Sequence, residues 1–339
     1  MDFAFLPGDN ADDGVPQQYE LVRSALHRLK LPVHIITGDH DRKSGALAHF
    51  REFLQPELYR STTFGRFALF FLNAMDGIDE KTFDFGAEQL SWLKTELQKV
   101  RIAGMRPLVF VHLYPSELKT SGNEFSKLIR DYGVELVEMG HTHYNELAND
   151  GRTIYATTRS TGQIEEGPPG FSITVIDEDV ISWKFKQRGA WPFVMIASPS
   201  DYRLITRPGS PNQVVRGKIK IRAKALDERG IGLVTCSIDG SDPQPMHKTD
   251  DGFWEVAWDS RGHSDGRHTI RADVEAGDAS AFDEVSILVS QSGEYRRSER
   301  DSIDYENTIG AWPLKGIVGT QLGPNENGTK GPWPSWRGK

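Results

Sequence analysis

Between residues 3 and 139 the chain repeatedly runs short and apolar, then breaks at once into a turn of Gly, Asp or His. Residues 3–7 stop at Gly8-Asp9-Asn10, and residues 33–37 at Gly38-Asp39-His40-Asp41. Residues 108–111 stop at His112, and residues 134–139 at Gly140-His141-Thr142-His143. Apolar runs this short suit strands buried on both faces of a sheet. Between them the apolar spacing turns helical. Residues 16–30 open on Pro16 and carry Tyr19, Leu21, Val22, Leu26 and Leu29; residues 87–100 carry Leu90, Trp92, Leu93 and Leu97. Residues 46–54 and 125–131 also read as helices. Residues 63–72 read as part of a strand pair around Gly65, and 152–158 and 171–176 as closing strands. Strands alternating with helices predict an α/β domain with a mostly parallel sheet.

In open α/β sheets ligands gather beyond the carboxyl ends of strands, where these polar turns fall. Carboxylate oxygen and imidazole nitrogen together suit divalent Zn, Mn, Fe or Co. Each turn taken singly says little: Gly-Asp is usually just a turn, and a histidine at a strand end usually just hydrogen-bonds. Asp9, Asp39, His40, His112, His141 and His143, in this order and each at a strand end, form a far more specific set. His27, His34 and His49 read as structural. Asp12 and Asp13 read as caps of the helix that follows, with Asp13 a second candidate for supporting the site.

The order Gly8-Asp9, Gly38-Asp39-His40-Asp41, His112, Gly140-His141-Thr142-His143 resembles the signature of calcineurin-like metallophosphoesterases. Residues 86–97 and 160–171 resemble its bacterial branch of cyclic-nucleotide and glycerophosphodiester phosphodiesterases. The likeness covers roughly residues 2–188. It implies a four-layer α/β/β/α sandwich that hydrolyses phosphate esters, phosphodiesters and also phosphomonoesters, with two divalent ions (Mn, Fe, Zn or Co) and a metal-activated water. Asp9 would bridge the ions, Asp39, His112 and His141 would complete the shell of the second, and His143 would join the first. His40 would serve the leaving oxygen as a catalytic group, with Asp41 orienting it or capping the next helix. Two departures stand out. Asp39 occupies a position that is usually Asn in the family, which adds a negative charge. The family's opening strand, ending in Asp-x-His, has no counterpart before Asp9. The expectation is therefore either a start further upstream or an incomplete first metal site, with a non-catalytic or single-metal scaffold as the alternative function.

After about Gly189 the pattern changes. Residues 189–213 hold Pro192, Pro199, Pro208 and Pro211 and read as a linker. Residues 214–290 alternate polar and apolar between Gly/Asp turns, as an Ig-like antiparallel β-sandwich does. Residues 291–339, rich in Gly, Pro, Asn and Trp, read as an extended tail. The expected domains are thus 1–188, 214–290 and the tail. A formal net charge of −8 argues against nucleic-acid polymers as partners. Bound cations can still give an acidic enzyme a locally positive site. A single cysteine, Cys236, rules out an internal disulfide or a multi-cysteine metal site. With no long apolar run and no leader-like start, the expectation is a cytoplasmic chain without a membrane span. Its substrate would be a small phosphate ester. Homo-oligomerisation through the C-terminal domain or tail is a further expectation.

Overall fold

The computed structural model describes residues 1–43, 47–77, 82–143, 145–161 and 169–296, and the backbone of 308–310. Part of the 160–171 segment and the tail residues Trp312, Asn327, Trp333 and Trp336 lie outside the described residues. Two compact units emerge, one centred on Met1–Tyr144 and Tyr155–Glu166, the other on Asn145–Ile154 and Gly167–Glu326.

The first unit runs β1 (Ala4–Leu6), α1 (Pro16–Leu26), β2 (Val33–Ile35), α2 (Ala48–Phe53), β3 (Arg60–Phe64), β4 (Phe67–Phe71), α3 (Ala87–Ile102), β5 (Arg106–Phe110), α4 (Gly122–Tyr132) and β6 (Leu136–Met139). β1 and β2 pair in parallel. A larger sheet has β4, β5 and β6 in parallel, with β3 antiparallel at the side of β4. The predicted strand pair around Gly65 is the β3–β4 hairpin.

Strand side chains alternate faces, and that alternation sets the layers. On the larger sheet Phe70, Leu72, Val109 and Val111 share one core with Leu90, Leu93 and Leu97 of α3 and Phe125, Leu128 and Ile129 of α4. The intervening Phe71 and Phe110 turn the other way and stack at 4.8 Å. There Phe110 meets Phe5 of β1 at 4.7 Å, and Phe71 meets His34 of β2 at 4.5 Å. Ile35 of β2 packs instead with Tyr19 of α1 and Phe50 of α2. The order is helices, small sheet, large sheet, helices: the expected α/β/β/α sandwich. His34 is a structural ring in the layer between the sheets, where each aromatic pair adds about 0.5–1.5 kcal/mol beyond area burial.

The second unit adds β7 (Glu146–Asn149), β9 (Gly170–Asp177), β10 (Val180–Gln187), β11 (Phe193–Ser198), β12 (Val214–Val215), β13 (Lys218–Leu226), β14 (Leu233–Ile238), β15 (Gln244–Pro245), β16 (His247–Lys248), β17 (Trp254–Asp259), β18 (Gly266–Ala276) and β19 (Ala279–Val289). β8 (Ile154–Thr157) lies in sequence between β7 and β9 and stands beside β6. One sheet has the order β11-β13-β17-β16, the other β12-β19-β18-β14-β15. Their inner faces enclose one core that includes Ile221, Val234, Trp258, Ile270 and Ile287. The expected linker is a point of correction. Residues 193–198 within it form β11, buried throughout and antiparallel to β13. Phe193 to Ala197 are apolar without a break, and the prolines either side made the stretch read as a connector. Among the described residues no helix is long and apolar enough to cross a membrane.

Candidate metal centre

The loops that follow β1, β2, β5 and β6 meet at one place. Two glycines permit the approach. A Cβ on Gly8 would lie 2.4 Å from His112 Nδ1, and one on Gly38 would lie 2.1 Å from Asp9 Oδ1. Asp9, His141 and His143 adopt left-handed backbone at φ 52°, 64° and 65°. Non-glycine residues rarely sit there unless their surroundings impose it, and such positions cluster at functional sites.

Asp39 Oδ1 lies 3.2 Å from both His112 Nε2 and His141 Nδ1. One donor atom from each of these three residues falls within 4.8 Å of the others. Asp9 Oδ2 is 3.5 Å from His112 Nε2, and its Oδ1 accepts the His40 backbone N–H at 3.0 Å. Asp9 thus ties the cluster to the turn carrying His40. His112 is 2 % exposed, and its Nδ1 lies 2.6 Å from the Pro7 carbonyl. A carbonyl can only accept, so Nδ1 carries a proton and Nε2 is the nitrogen directed into the cluster. His143 stands two residues beyond His141, outside the group of three.

The electrostatics follow from this crowding. Burial penalises charge on His112, but the Asp9 charge and the hydrogen bonds to Asp39 and Pro7 outweigh it and push the imidazole up to about 9. Burial would likewise raise Asp39. Hydrogen bonds and charge from His112 and His141 instead hold it well below the usual carboxylate range. Metal-free, the site therefore binds protons where its donor atoms would grip a cation. One carboxylate oxygen and two imidazole nitrogens are the chemistry a divalent ion of the Zn, Mn, Fe or Co type requires.

His40 lies on a single 3₁₀ turn, with Nδ1 2.8 Å from the Asp12 carbonyl and 2.9 Å from Asp12 Oδ1. Lys43 Nζ donates to the same carbonyl at 2.9 Å. Lys43 Nζ also stands 2.7 Å from His40 Nδ1, so Nδ1 is held among Asp12 and Lys43 while Nε2 lies at the far side of the ring. Asp12 was expected to cap a helix. The α1 N-cap is Val15, without a side-chain cap, and Asp12 attends His40 instead. Asp13 exchanges hydrogen bonds with Gln18.

Asp41, expected to orient His40 or to cap the next helix, makes other contacts. It is 2 % exposed and accepts from Gly38 N, Asn10 N, Asn10 Nδ2 and the Tyr19 hydroxyl. It braces the turns after β1 and β2 against each other. Glu117 went unnoticed in the sequence: its Oε1 is 3.4 Å from His141 Nε2. The available signal was Pro115 two residues before it, opening a helical turn just after His112.

Residues 2–145 match the family model of calcineurin-like phosphoesterases, and residues 192–272 that of a bacterial Ig domain. A probable cyclic nucleotide phosphodiesterase of Fibrobacter succinogenes is 23% identical over 206 residues, 56% of this chain and 75% of that protein. A probable glycerophosphodiester phosphodiesterase of Arcobacter nitrofigilis is 24% identical over 120 residues, 34% of this chain and 43% of its own length. Among solved structures, a dimetal phosphatase from Danio rerio aligns with a TM-score of 0.49 at 16% identity, over 56% of this chain and 82% of that one. The N-terminal region is thus similar to calcineurin-like phosphoesterases, which supports a phosphoric ester hydrolase, and the region after it is similar to a bacterial Ig domain.

Proposed function

We propose that the chain hydrolyses small phosphodiesters at a two-metal centre formed by the loops after β1, β2, β5 and β6. Asp39, His112 and His141 would hold one divalent ion, and Asp9 and His143 would serve a second. The observation that carries the metal-dependent part of this reading is the convergence of one oxygen and two nitrogens from three separate loops within 4.8 Å, which accounts for one ion. When bound, the ions supply Lewis acidity toward the phosphoryl oxygens and a nucleophilic water. The remaining work falls to the protein. Asp9 and Asp39 bring negative charge that favours cation uptake. Pro7 fixes the His112 ring so that Nε2 is the donor. His40, oriented through Nδ1 by Asp12, offers its Nε2 proton to the departing ester oxygen. Asp41 holds the Gly8–Asp9 and Gly38–Asp39 turns in register. The names of the relatives make cyclic nucleotides and glycerophosphodiesters the first substrates to try.

Among the described residues a single group of this kind converges, which keeps a one-ion form as the second reading. Elemental analysis together with Mn-dependent hydrolysis of bis(p-nitrophenyl) phosphate tests both. Two ions per chain with turnover is the expected result. One ion with turnover selects the second reading. Full metal content in Asp9→Ala would remove Asp9 from the centre, and the absence of any metal-dependent turnover would sink the enzyme reading.

A further inference from the structure

We infer that Glu117 is a positioning residue for His141, fixing which imidazole nitrogen faces the metal; this rests on the metal centre proposed above. The His141 ring lies between two carboxylates. Its Nδ1 is 3.2 Å from Asp39 Oδ1, and its Nε2 is 3.4 Å from Glu117 Oε1. The ring plane is set by edge contacts with Phe83 at 5.4 Å and His112 at 5.1 Å between centroids. Packing of this kind fixes a plane but cannot select a protonation state, because a neutral imidazole has two tautomers of nearly equal shape. A carboxylate accepts and never donates when ionised. A cation at Nδ1 would take that lone pair and leave the proton on Nε2, where Glu117 Oε1 at 3.4 Å is the carboxylate placed to face it.

Glu117 is itself anchored. Its Oε2 accepts the Tyr114 backbone N–H at 2.8 Å, and its own N–H reaches the Tyr114 carbonyl at 3.0 Å. These bonds close the 3₁₀ turn Pro115–Glu117, so the carboxylate is not free to swing. The turn begins three residues after His112. One short loop thus delivers a metal-binding histidine and, five residues later, the carboxylate that orients the next one. Glu117 lies outside the group of three converging donors and reaches the imidazole from the side opposite Asp39. Its action on the cation passes through the ring. Carboxylate partners of this sort orient a ligating histidine and raise its basicity, and their loss typically weakens metal binding about ten- to a hundredfold.

The test uses Zn(II) as the probe, with dissociation constants from chelator competition and long-range ¹H–¹⁵N spectra of the Zn-loaded chain. The wild-type spectrum should show His141 with the proton on Nε2 and Nδ1 ligated; the reverse assignment overturns the inference even if no variant folds. Glu117→Gln should bind Zn(II) about ten- to a hundredfold more weakly, with the His141 Nε2 resonance displaced and the His112 nitrogens unmoved. Unchanged affinity and an unchanged His141 spectrum in that variant would exclude Glu117. His112→Ala separates the two levels. If it loses Zn(II) while Glu117→Gln does not, the centre stands and Glu117 falls; if it binds like wild type, the centre fails and this inference with it.

Discussion

At the scale of single residues, proton and metal compete for the same atoms. His112 has an ordinary value near 6.5 and is pushed up to about 9 in the metal-free fold, against its own burial, by Asp9, Asp39 and Pro7. A raised histidine stabilises the fold fully below the unfolded value, and that stabilisation is lost as pH climbs through about 9. The metal-free chain should therefore lose stability between about pH 6.5 and 9, as followed by urea unfolding at each pH. Cation binding must expel this proton, so apparent affinity should rise across the same window and protons should be released on titration. Calorimetry in two buffers of different ionisation enthalpy measures that release. No release at pH 7 would mean that His112 is already neutral and outside the centre. His40 is set apart by the role proposed for it, beside the departing oxygen and not on the metal. His40→Ala should lower turnover about a hundredfold or more while metal content holds, as loss of a general acid does. Loss of metal in that variant would instead make His40 part of the binding cluster.

At the scale of elements, the site depends on two turns held together by one buried carboxylate. Asp41 receives hydrogen bonds from the turn after β1, from its own turn after β2 and from Tyr19 of α1. Burial raises its pKa, and those donors oppose the rise. Removing it leaves several donors unsatisfied in the interior, which should cost at least about 3 kcal/mol. Asp41→Ala should thus lower both the unfolding midpoint of the first domain and the metal affinity. Tyr19→Phe, which removes one donor, should cost about 1–2 kcal/mol. A fully stable Asp41→Ala would show that the two turns hold without it. Asp41 also marks where the sequence was legible and where it was not. The order of strand-end turns is written in local composition, so the polar turns that converge and an α/β domain could be read from it, and the family resemblance implied the four-layer sandwich. What each polar side chain touches is set by partners far along the chain. Asp12 finds His40 across 28 residues and Asp41 finds Asn10 across 31, and no periodicity records such pairings. The same limit hid β11, whose partner strand supplies the reason it is a strand at all.

At the scale of the whole molecule, two cores are built by different rules. The first comes from helices on sheets and encloses Phe70, Leu93 and Phe125; the second comes from alternating strands and encloses Ile221, Trp258 and Ile270. The two patterns differ in period, 3.6 against 2, which is why the change of domain type could be read from sequence. Every residue of the candidate metal centre, from Asp9 to His143, lies in the first unit. A ligand stabilises only the state that binds it, by RT ln(1 + [L]/Kd). Divalent metal at a hundred times its dissociation constant should therefore add about 2.7 kcal/mol to the first unit. In a unit of this size that shifts its melting temperature by roughly 5–10 °C. The Ig-like unit gains nothing directly, because none of the proposed ligands is built from it. Differential scanning calorimetry with and without Mn should thus show one transition move and the other stay. Trp92 packs against the first core, Trp258 lies in the second and Trp254 packs against it, so fluorescence of single-tryptophan variants assigns the two transitions. If both transitions shifted together, the two cores would melt as one cooperative body, and stabilisation at the metal centre would be transmitted to the Ig-like domain.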